Sequence, residues 1–256
     1  MKVLVFKWWG RYGMFKKFST TVFPDTYGFP PPTAVHGMLG RILGLNRQEY
    51  PEIFKDSKVA IKILNPVEKM SFPTNWLKTK KDSQGTVTVA DYLKKIPQST
   101  PNAPKYLVNP GYRIYFYIEN QEIQKLVRET IKEKKYHMTP YLGKAKCISH
   151  LEYEGEFDFR PLPKPYRGEI HSVVLWEFEE NSIPKLTTKN LKRLATGRVA
   201  YSYQEISLPK IGLQKGWKHV TVIYNPNPSP PLSVENYTAQ VYEIPKLKEK
   251  ITFLYK

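Results

Sequence analysis

The chain has 256 residues, 41% hydrophobic and 14% aromatic, and its 40 Lys and Arg against 23 Asp and Glu give a formal net charge of +17. That composition excludes a disordered basic tail, and the length suits one large domain or two small ones with a real core. One cysteine, Cys147, excludes an internal disulfide, and no stretch has the apolar length of a membrane span or the layout of a signal peptide, so the expected location is the cytoplasm.

Residues 2–9 (KVLVFKWW) are β-branched and aromatic and read as a strand broken by Gly10 and Gly13. After Pro30, Pro31 and Pro32, Thr33 is the expected N-cap of a helix over 34–44, because Val35, Met38, Leu39, Ile42 and Leu43 fall on one stripe. Gly37, Gly40 and Gly44 line its other face with His36 and Arg41, an open strip that reads either as a docking surface or as a face packed inside. Residues 58–64 and 112–118 are strand-like, and the proline- and lysine-rich interval between them reads as an inserted, hairpin-like arm over about 67–111. Asn120 caps a second helix with Ile123, Leu126, Val127 and Ile131 on one stripe, and 145–153 reads as the next strand. The order is βαββαβ, so the expected class is α+β with a ferredoxin-like domain over residues 1–160 of the kind RNA-recognition modules share. A β-rich region over 161–256 follows, with strands expected at 170–178, 198–208, 218–224, 238–244 and 251–255 and a short helix near 187–195.

Charge is unevenly placed: residues 1–150 hold 25 basic and 11 acidic residues, and 151–256 hold 15 and 12. From Lys2 to Pro24 there are five cations (Lys2, Lys7, Arg11, Lys16 and Lys17) and no acid, which points to an anion-facing surface with nucleic acid as the leading partner. A solvated lysine-rich surface and anionic lipid are the alternatives, the latter lacking a basic amphipathic helix. The five histidines and one cysteine show no metal-ligand spacing, and no P-loop or dinucleotide fingerprint is present, so no metal or cofactor is expected. Gly10–Lys17 (GRYGMFKK) combines accessible loop N–H groups with Arg11, Lys16 and Lys17, and Trp8, Trp9, Tyr12, Phe15 and Phe18 stand beside them as candidate stacking platforms.

Gly10–Lys17 together with Thr26–Gly44 (TYGFPPPTAVHGMLGRILG) resembles the N-terminal signature of the Cas-five family of CRISPR-associated proteins, in the RAMP superfamily, and Pro140–Lys144 (PYLGK) resembles that family's turn before the fourth strand. The resemblance implies a non-enzymatic subunit of a type I Cascade complex that holds the 5′ handle of the guide RNA and packs against the large subunit and a backbone subunit. It marks Arg11, Lys16, Lys17, Tyr27, His36, Arg41 and Lys144 as RNA contacts, with the arm lysines Lys78, Lys80 and Lys81 added by analogy. Two alternatives stand beside it. One is a metal-independent endoribonuclease, for which His36 is the best single candidate; the other is a stand-alone basic RNA-binding protein.

Overall fold

The computed structural model describes residues 1–18, 20, 24–77, 99–176, 185–186, 202–209 and 217–254. The chain begins with β1 (Lys2–Trp9) and β2 (Tyr12–Gly13), forms α1 (Pro32–Leu43) and the one-turn α2 (Tyr50–Ile53), and returns through β3 (Lys58–Ile63). The arm rises as β4 (Glu68–Ser71) and β5 (Thr74–Leu77) and descends as β6 (Ser99–Asn102) and β7 (Lys105–Val108). β8 (Gly111–Tyr117), α3 (Gln121–Glu133) and β9 (His150–Asp158) follow. The C-terminal part supplies β10 (Arg160–Pro161), β11 (Tyr166–Ile170), β12 (Val174–Leu175), β13 (Lys185–Leu186), β14 (Ser202–Pro209), β15 (Trp217–Tyr224), β16 (Leu232–Tyr237), β17 (Val241–Ile244) and β18 (Glu249–Thr252).

The central sheet is antiparallel in the order β3-β8-β1-β9, which is the ferredoxin-like arrangement. Alternation along β1 decides its two faces. Leu4, Phe6 and Trp8 meet Val35, Leu39 and Ile42 of α1 and Val127 and Ile131 of α3 in the main core. Val3 and Val5 point the other way, into a second cluster with Tyr115, Tyr117, Ile244, Ile251 and Phe253. The β17–β18 hairpin therefore covers the sheet face on which an RNA-recognition module would stack bases. That face also absorbs charge: Lys7, Arg113 and Lys62 lie in one row across three strands. Arg113 bonds Glu154 (2.5 Å) and Glu249 (2.8 Å), Lys62 bonds Glu249 (2.5 Å), and Lys7 pairs with Glu154 (3.4 Å).

α1 starts two residues earlier than its sequence pattern predicts. Pro32 occupies the first helical position, where its fixed φ is already helical, and the Pro31 carbonyl accepts from the N–H groups of Ala34 (2.8 Å) and Val35 (3.2 Å), so Thr33 is not the cap. α3 is capped as expected, with the Asn120 side chain accepting from the N–H groups of Glu122 and Ile123. The strand expected at 145–153 begins at His150, because β9 pairs with β1 from Trp9 opposite His150 to Lys2 opposite Asp158. Residues 140–149 are instead a series of turns, closed by Cys147 N–H to Lys144 O and Leu142 N–H to Cys147 O, both 2.8 Å. In the C-terminal part β15 and β17 lie where strands are expected, while the segment around 170–178 divides between β11 and β12, and β16 falls at no expected position. The helix near 187–195 lies outside the described residues. Among the described residues no helix is long and apolar enough to cross a membrane.

Candidate nucleic-acid interface

The arm's described portion is an antiparallel stalk, β4 paired with β7 and β5 with β6, and β2 adds to its base with Tyr12 opposite Val108. The glycine loop is thus stitched to the arm. It is also held by two other segments: Met14 N–H donates to Leu142 O (2.9 Å), Lys17 N–H to Asp25 O (3.0 Å), and Tyr27 N–H to Phe15 O (2.8 Å). Gly143 explains how close the 140–149 turn comes. Its φ is 79°, and a Cβ there would lie 2.1 Å from the Met14 carbonyl oxygen. The three motif blocks, distant in sequence, form one clamp.

The clamp gathers cations. Lys16 is exposed and its backbone bridges to Thr26, while Lys144 and Lys146 stand on the turn opposite. Burial lowers the Lys144 ammonium below its ordinary value, and Lys146 and Lys16 lower it further, so the three charges act on one another. Lys146 Nζ lies 5.0 Å from the centre of the Tyr106 ring. Tyr106 meets Phe72 edge-on at 5.3 Å, Phe72 meets Tyr12 at 5.3 Å, and Arg11 lies over Tyr12 at 5.5 Å. An aromatic row therefore runs along the arm base with a cation at each end: Tyr106 is buried in the core, and the partly exposed rings of Tyr12 and Phe72 are the ones an unstacked base could meet. Among the described residues no cluster of His, Cys, Asp and Glu assembles a metal site, and Cys147 is buried.

Several residues marked by the sequence occupy other places. Lys17 is a strut: it pairs with Asp25 at 2.7 Å, and Lys69 bonds the same carboxylate at 3.2 Å. Burial works to raise the Asp25 carboxyl, but hydrogen bonds from Lys17 and the Thr26 backbone, with the charge of Lys69, bring it to about 2. Tyr27 is 5% exposed and belongs to the core. His36 is 4% exposed, with Nε2 2.8 Å from Ser57 Oγ and its ring stacked on Phe54; burial holds its pKa at about 4. Tyr27 and His36, both expected as RNA contacts, are thus buried side chains in this structure. The glycine strip of α1 is packed from within at Gly40, where a Cβ would lie 2.8 Å from Tyr50 Cβ; Gly44 abuts His137, and Gly37 and Gly44 line a cleft of about 410 Å³ with Arg41. Arg41 Nε donates to Thr139 O (3.1 Å) and its guanidinium covers the Tyr141 ring at 4.7 Å, tying α1 to the segment before the turn. Trp8 and Phe15 are core residues, Phe18 is 49% exposed, and Lys78, Lys80 and Lys81 lie outside the described residues. Lys146 and Phe72 are the additions, and the buried Tyr106 ring packs between them. What the local sequence does not show is that the 140–149 turn folds back against the glycine loop, which sets Lys144 and Lys146 beside Lys16.

The family model described as CRISPR-associated protein (Cas_Cas5) matches residues 3–153, more than half of the chain and the whole clamp. No curated relative matches by sequence. Among solved structures, the chain resembles a CRISPR protein from Archaeoglobus fulgidus (TM-score 0.57, 13% identity, 99% of both chains covered). It also resembles a chain of a CRISPR RNA-guided surveillance complex (TM-score 0.52, 12% identity, 90% of this chain and 91% of that one). At such identities the likeness is one of fold, and the fold agrees with the family match. The chain belongs to the Cas5 family of CRISPR-associated proteins.

Proposed function

We propose that this protein holds the 5′ handle of a CRISPR guide RNA as a non-enzymatic subunit of a type I Cascade complex in the cytoplasm, beside a backbone subunit and the large subunit. The observation that carries the reading is the clamp, in which Lys16, Lys144 and Lys146 converge from separate motif blocks at the base of the arm, where the Tyr12 and Phe72 rings are partly exposed. A repeat-derived handle is single-stranded, and single strands are bound by cations that follow the phosphates and by rings that accept the bases. The closed sheet face is in keeping with the same reading, since β17 and β18 cover the surface on which bases would otherwise stack. The fold likeness to a chain of an RNA-guided surveillance complex is in keeping with it.

Cleavage without metal needs a base near the 2′-hydroxyl. His36, the best sequence candidate, is buried and bonded to Ser57, which disfavours that role. The test is to purify the protein with its natural partners and sequence the RNA that comes with it. Repeat-derived 5′ ends are expected, and a random cellular RNA population would overturn the reading. Repeat RNA incubated with the protein in chelator is expected to remain intact.

A further inference from the structure

A second feature sits on the far side of the same turn. Trp9 closes β1 and lies opposite His150 at the start of β9, their rings 5.7 Å apart and tilted by 36°. They open onto a cleft of about 400 Å³ lined also by Lys134, Tyr136, Pro140 and Ile148. Apart from Pro140, neither the family signature nor the lysine clamp accounts for these side chains. Ile148 is 61% exposed at the rim, an apolar group left in water. The Tyr136 hydroxyl is buried with no hydrogen-bond partner among the described residues. A buried hydroxyl without a partner is costly, and a ligand edge placed there would satisfy it. Burial also raises the Tyr136 pKa, so the group is a neutral phenol that can both donate and accept.

The cleft and the clamp share a structural element. Pro140, Ile148 and Ser149 line the cleft and belong to the turn that carries Lys144 and Lys146, so the cleft and those lysines are set by one segment of the chain. Lys134, exposed on the lip at the end of α3, adds a cation there. Flat rings, one unspent hydroxyl and a cation at the entrance are the features of a seat for a flipped nucleobase: a face to stack on, a polar group for one base edge, and a charge for the adjoining phosphate.

We propose that the Trp9–His150 cleft receives a single extruded base of the bound RNA, stacked against Trp9 with its edge hydrogen-bonded to Tyr136. This rests on the RNA-binding reading above. The test uses single-stranded RNA of the repeat sequence from the same genome, with one abasic residue moved through it in steps, against the wild-type protein, Trp9→Leu and Tyr136→Phe. With the wild type, one abasic position is expected to weaken binding by roughly tenfold. Trp9→Leu is expected to bind intact RNA about tenfold more weakly and to be indifferent to that abasic position. Tyr136→Phe, which removes only an oxygen from a half-buried ring, keeps the test meaningful should Trp9→Leu unfold. It is expected to weaken intact RNA a few-fold and to lose the difference at the same position. If lysine substitutions in the clamp weaken binding while no abasic position couples to Trp9 or Tyr136, the base seat is wrong and the clamp stands. If the wild-type protein does not bind the RNA at all, both fall.

Discussion

Two lysines share the Asp25 carboxylate, and that small cluster fixes how the glycine loop leaves the clamp. Because the Asp25 pKa falls from 3.8 to about 2 in the folded protein, its stabilisation is complete above about pH 4 and is lost as pH falls through 2. Asp25→Asn is therefore expected to lower Tm near pH 6 by several degrees, for about 1–2 kcal/mol, with the difference from wild type vanishing near pH 2 in a melting series. His36 has the same sign for a different reason. Its folded pKa of about 4 lies below the ordinary 6.5, so stability is expected to fall as pH drops from 6.5 toward 4, by up to about 3 kcal/mol. His36→Gln is expected to be less stable, to flatten that interval, and to bind RNA within about twofold of wild type, since the side chain lies in the core. A large loss of RNA affinity with intact folding would return His36 to the interface.

At the scale of elements, Gly40 and Gly143 separate packing from function. A leucine at Gly40 drives its Cβ into Tyr50, so Gly40→Leu is expected to cost about 1–3 kcal/mol in chemical denaturation, and Tyr50→Ala in the same chain is expected to restore part of it. Gly143→Ala strains a left-handed residue against the Met14 carbonyl, and it is expected to weaken RNA binding on the order of tenfold while leaving far-ultraviolet circular dichroism unchanged. These two positions also show what the sequence makes legible. β1 and α3 stand where the sequence puts them, since β1 is a run of apolar residues buried on both faces, and α3 buries one stripe behind an explicit cap at Asn120. The strip of glycines on α1 is visible, but Tyr50, which packs against it at Gly40, comes from an element of one turn with no period to read. The start of β9 is set by its register on β1, a long-range pairing that residues 145–149 do not encode locally. Lys16 and Lys144 are legible as motif residues, and Lys146, Tyr106 and Phe72 join them only after the turn and the arm base have formed.

Over the whole molecule, the net charge of +17 is not spread evenly: the cationic row on the second sheet face is neutralised locally by Glu154 and Glu249. The clamp is where cations instead stand together. Each lysine that meets a phosphate of a single strand contributes about −0.7 to the slope of log affinity against log salt. The decisive measurement is that slope for repeat RNA, taken for the wild-type protein and for the combined Lys16→Ala, Lys144→Ala and Lys146→Ala variant. The variant is expected to keep its melting behaviour, to bind more weakly, and to show a slope shallower by about 2. An unchanged slope with a folded variant would place the RNA away from the clamp and contradict the account.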